Sequence, residues 1–259
     1  MKHRKTITTL VIILFYLFIQ YKYFIISFVA GIKFTSLNEH GIILIGYIIS
    51  LALIFIPFLL LYDVKFKTFT DEFGMRANFF ISFVFILIAS IPIIIGLLFN
   101  LKDSLNLLSY NTIVTVFFAA IMNEFVSRAF LFGQLFRRGG WGFVQAAAIG
   151  PVFLGMKIIS NTLDPLIISI SFINVLLMGL FYAWLFIEWN NNIWIPMGLH
   201  IFINLSWLVF ENGEKSCFGS TEGIIYRSIT IFISIVITIL MCVHRKKFRI
   251  NKLNIFAWK

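Results

Sequence analysis

Eight apolar stretches, roughly 7–30, 41–62, 79–99, 109–133, 141–160, 166–187, 193–210 and 224–243, alternate with short polar connections along the chain. Each is near the length of about 20 residues that a helix needs to cross a bilayer. None shows the alternation of a barrel strand. Lipid offers no partner to an exposed backbone N–H or C=O, so every stretch is expected to be helical. The pattern predicts an all-α fold: a polytopic membrane helix bundle of about eight transmembrane helices. No polar stretch is long enough to fold as a separate soluble domain, and no repeat or linker divides the chain, so 1–259 reads as a single membrane domain. Lys22 interrupts the first stretch, and Asn190-Asn191-Asn192 reads as a tight turn. A basic start before Leu10–Ile19 resembles a signal peptide. The apolar stretch nevertheless runs on to Ala30 without a small-x-small cleavage site, which favours an uncleaved first span.

Composition sharpens this picture. Of 259 residues, 60% are hydrophobic and 12% are charged, against about 25% charged in ordinary soluble domains. A surface this poor in charge has to face lipid. The formal net charge of +10 would suit nucleic acid, but its distribution excludes that partner. The basic residues cluster at Lys2, Arg4 and Lys5, at Lys65, Lys67 and Arg76, at Arg137 and Arg138, and in His244–Arg249, each cluster abutting an apolar stretch. That is how topology determinants and headgroup contacts are distributed. With the N-terminus inside, segments 1–6, 63–78, 134–140, 188–192 and 244–259 hold two thirds of the Lys and Arg. Both termini are therefore expected on the cytoplasmic side. An Ile-, Phe-, Lys- and Asn-rich composition suggests a low-GC bacterium and hence a plasma membrane. Cys217 and Cys242 are far apart and have no metal-ligand spacing, so no disulfide framework, metal or cofactor is expected.

Ionisable groups at bilayer depth are costly and mark candidate sites. The fourth stretch carries Glu124 and Arg128, four apart and so on one helix face. The seventh carries His200 and Asn204 at the same interval, and the fifth carries Phe153 and Lys157. Three such ladders are expected to converge on one interior, partly hydrated pocket. Each also has a structural reading: Glu124 with Arg128 as an ion pair, Lys157 as a snorkelling or neutralising cation, and His200 with Asn204 as interhelical hydrogen-bonding glue.

These residues resemble the CAAX-protease and bacteriocin-processing (CPBP) family of intramembrane glutamic endopeptidases. Its three motifs, on successive helices, are Glu-Glu-x-x-x-Arg, Phe-x-x-x-His and His-x-x-x-Asn. Here they read Asn123-Glu124-x-x-x-Arg128, Phe153-x-x-x-Lys157 and His200-x-x-x-Asn204. The flanking Ala129–Gly133, Arg137–Trp141 and Asn192–Pro196 are also similar to the family, and the resemblance covers about 105–210. It implies a metal-independent mechanism. The first glutamate and the motif-two histidine activate water against a peptide carbonyl, and the motif-three histidine and asparagine stabilise the oxyanion.

This chain departs from the family at both water-activating positions, with Asn123 for glutamate and Lys157 for histidine. An amide is no proton acceptor, and a charged lysine offers no lone pair. If the chain is active, Glu124, His200 and Asn204 are the residues expected to carry catalysis. Glu124 would have to act from a position turned about 100° round the helix. Alternatively, a neutral Lys157 would have to act on Ser127, which shares the face of Asn123. The leading expectation is a catalytically impaired family member that binds a peptide or another membrane protein, besides membrane lipids, as a regulator, assembly partner or immunity factor. The alternative is an active endopeptidase with a rearranged centre. A transporter lined by Glu124, Lys157 and His200 is disfavoured, because paired broken helices and repeats are absent.

Overall fold

The computed structural model describes residues 2–30, 39–61, 66–100, 109–159, 164–210, 220–251 and 254–256, with backbone alone at 2–5, 21–30, 39–44, 57–61, 66–68, 100, 111 and 155–159. No strand occurs among the described residues, and helices fall on all eight apolar stretches. They are α1 (Lys2–Ala30), α2 (Glu39–Leu61), α3 (Phe66–Glu72), α4 (Phe79–Ala89), α5 (Ile91–Asn100), α6 (Ile113–Gly139), α7 (Phe143–Ile159), α8 (Pro165–Glu188), α9 (Trp194–Phe210) and α10 (Thr221–His244). By length and composition α6, α8 and α10 each suffice to cross a membrane. The chain is a polytopic helical membrane protein, as the apolar pattern predicts. Its outer surface agrees: Phe80, Leu98, Phe99, Phe232 and Leu240 are all more than half exposed, an arrangement that water disfavours and lipid accommodates.

Three features depart from the simple pattern. The third apolar stretch is a pair of helices, α4 and α5, bent by 57°. Pro92 has no N–H and crowds the carbonyl one turn back, which breaks the helix at Ser90. The polar segment after α2 contains the short helix α3, whose Phe69 and Phe73 stack in a run from Phe55 to Phe125. Helix α6 is not a uniform α-helix either. Its turns widen to π geometry at Ile113–Phe118, Phe125–Phe132 and Leu135–Gly139. Single π turns in a helix are frequent at functional sites.

Local chemistry explains where helices begin. Asn78 caps α4, Asp164 with Pro165 starts α8, and Ser220 caps α10, each side-chain oxygen accepting an otherwise orphaned amide. Asn190 and Asn191 adopt positive φ in the turn before α9, where asparagine is the non-glycine residue best suited. Gly74, at φ +71, lies so close to the Asn191 carbonyl that a Cβ would collide with it. Asn192 donates to Ser82 Oγ at 2.7 Å and accepts from the Trp194 amide at 3.1 Å, fixing the start of α9 against α4.

The connecting segments with basic clusters meet at one end. Arg137 and Arg138 pair with Glu72 at 3.6 and 2.6 Å, and Thr9 of α1 sits beside Gly139. Residues 249–251 and 254–256 pack across the same end. Glu188 is buried and accepts the amides of Arg249 and Ile250 at 2.9 and 3.0 Å. The carbonyls of Asn254 and Ile255 accept the first amides of α7, from Phe143 and Val144.

Candidate functional site

Helices α6 and α9 are tied together by Glu124. Its side chain has no exposed surface, and His200 Nδ1 lies 2.6 Å from its Oε1. Arg128 Nε lies 3.1 Å from Oε2, but its N–H does not point at that oxygen. The contact is coulombic rather than a directed hydrogen bond. A carboxylate with two such neighbours is compensated in a dry interior, where an unpaired charge would be strongly disfavoured. With Nδ1–H donating to Glu124, the imidazole is held in the tautomer whose Nε2 is an acceptor.

Tyr182 of α8 completes the group. Its ring stacks on His200 at 5.3 Å, nearly parallel, and the Arg128 guanidinium lies 5.2 Å from the ring centre. The hydroxyl of Tyr182 is buried and has no hydrogen-bond partner. A buried O–H without a partner is costly, so the group is poised for an acceptor brought by water or ligand.

Arg128, Tyr182 and His200 face a cavity of about 270 Å³ walled by α1, α6, α7, α8 and α9. Asn123, Ser127 and Arg128 line it from α6, His200 and Asn204 from α9, and Tyr16, Gln20, Asn174 and Tyr182 from α1 and α8. Pro151, Leu154, Met178 and Trp207 supply apolar wall. The close approach of α7 and α8 depends on Gly179, whose missing Cβ would lie 2.2 Å from Pro151 Cγ. Asn204 Nδ2 reaches the Val116 carbonyl, at 3.4 Å a long contact, in the first widened part of α6. Tyr16 donates to the Gly150 carbonyl at 3.3 Å, close to Ser127.

The residues singled out by spacing thus divide. Asn123, Arg128, His200 and Asn204 share one cavity, while Glu124 sits behind it as their buried counter-charge. Phe153 does not line the cavity; it packs against Tyr16 at 6.1 Å in the aromatic core. The Lys157 side chain lies outside the described residues. Tyr16, Gln20, Asn174 and Tyr182 carry no sequence signal of their own. They join the site only because α1 and α8 pack beside α6 and α9. Among the described residues no group of three or more His, Cys, Asp or Glu is arranged to hold a metal ion.

The arrangement offers amide and hydroxyl donors, an imidazole acceptor and one guanidinium to a ligand, within an apolar wall. No curated protein and no solved structure matches the chain. Residues 105–206 match the family model described as type II CAAX prenyl endopeptidase Rce1-like, and over that core the chain is similar to this CAAX-protease-like membrane family.

Proposed function

We propose that this chain binds a peptide, or a segment of another membrane protein, in the α6–α9 cavity and does not hydrolyse it. It would act as a regulator, assembly partner or immunity factor of a plasma-membrane system, with both termini cytoplasmic. The observation that carries this reading is the amide at position 123 beside a fully buried carboxylate at 124. The side chain that lines the cavity is the amide of Asn123, and the carboxylate of Glu124 has no exposed surface. A general base must lie within hydrogen-bond reach of the water it deprotonates, whereas Glu124 is turned to His200 and Arg128. The polar lining suits a peptide backbone, whose amides need both donors and acceptors.

The decisive test is to assay the natural chain beside an Asn123→Glu, Lys157→His double variant, in detergent micelles, on internally quenched peptides. The natural chain should be inert and the double variant should cleave. Cleavage by the natural chain that disappears in Glu124→Gln at unchanged folded yield would overturn the reading. One observation favours the second reading, a rearranged endopeptidase: the His200–Glu124 pair at 2.6 Å is a base with its orienting carboxylate. In that case the base is His200, and His200→Gln would abolish cleavage.

A further inference from the structure

At the end of the bundle where α6, α8 and α10 all terminate, a second hollow of about 330 Å³ lies between the last turn of α6, the end of α8 and residues 247–251. Arg137, Lys247 and Arg249 line it together with Phe136, Ile187 and Phe248. The charges do not balance. Glu72 is engaged by Arg137 and Arg138, and the Glu188 carboxylate accepts backbone amides of Arg249 and Ile250. Lys247 and Arg249 form no ion pair among the described residues. The hollow therefore joins uncompensated positive charge to an apolar floor.

Its level in the molecule identifies the occupant. Gly139, Glu188 and His244 end the three helices long enough to cross a membrane, so the hollow lies where lipid phosphates lie. A free phosphate would use the basic rim alone and leave Phe136, Ile187 and Phe248 unused. An anionic phospholipid uses both, with its phosphate on Lys247, Arg249 and Arg137 and the start of an acyl chain over the aromatic floor. We infer that this hollow is a binding site for one anionic phospholipid, separate from the cavity bounded by α6 and α9.

The test uses the full chain in neutral detergent, with bound lipid counted by native mass spectrometry. Dioctanoyl phosphatidylglycerol should be retained and dioctanoyl phosphatidylcholine should not. The Lys247→Gln, Arg249→Gln double variant should bind the anionic lipid about thirtyfold more weakly. Arg76→Gln, which removes an exposed cation paired with Asp71 outside the hollow, should leave binding unchanged. If the double variant fails to fold, Lys247→Gln alone should weaken binding about fivefold, and added salt should weaken binding to the natural chain. Equal retention of the two lipids would overturn the inference. So would undiminished binding in the variants, or displacement of the lipid by inorganic phosphate at the lipid's own concentration.

Discussion

The carboxylate of Glu124, held between an imidazole and a guanidinium, governs what substitution does at the site. Glu124→Ala leaves Arg128 as a largely buried cation beside an unpartnered imidazole, and loss of one partner of such a pair is typically worth about 3–5 kcal/mol. A clear fall in the thermal midpoint, followed by tryptophan fluorescence in detergent, is the expected outcome. Glu124→Gln keeps an oxygen acceptor for His200 and should lose less. Tyr182→Phe makes the opposite prediction. Its hydroxyl has no partner, so removing it should leave the midpoint unchanged or slightly raised, by less than about 1 kcal/mol, while weakening any ligand that supplies the missing acceptor. Glu124, Arg128, His200 and Asn204 were legible in the sequence because polar residues are rare in these apolar stretches and fall four apart. Tyr182 was not, since one tyrosine among eight gains meaning only from the helix facing it.

Between helices, spacing that glycine makes possible decides the shape of the cavity wall. Gly179→Ala places a methyl group against Pro151, and forcing a methylene into a packed contact typically costs about 1–3 kcal/mol. A lowered midpoint and an altered cavity-facing environment at Trp207 should both be measurable. The apolar pattern located every helical stretch but α3, because the need to satisfy backbone groups in lipid leaves no other choice. It did not reveal the 57° bend between α4 and α5 or the widened turns of α6. Pro92 gave a signal for the first, and hydropathy does not register a proline's missing N–H. The π turns of α6 follow no local propensity that the sequence displays.

At the scale of the molecule, a tail packed on a buried carboxylate holds one end together. Glu188→Ala removes the acceptor for two backbone amides, each worth about 1.5–3 kcal/mol when the acceptor is charged. The variant should lose residues 249–256 to limited proteolysis at protease concentrations the natural chain resists. The basic clusters predicted that these connections share one end; the particular role of Glu188 was hidden, because an acid at a helix terminus resembles any solvated residue.

The two amides that open α7 find their acceptors at Asn254 and Ile255, more than a hundred residues later in the chain. During synthesis, the helix that walls the cavity through Gly150, Pro151 and Leu154 is inserted well before the segment that completes its first turn. Chains fold from the N-terminus as they emerge, so the first turn of α7 is completed only after residues 254–255 have been released. A chain stalled or cut before that point would be membrane-inserted and mostly helical, yet the opening turn of α7 would lack two of its acceptors.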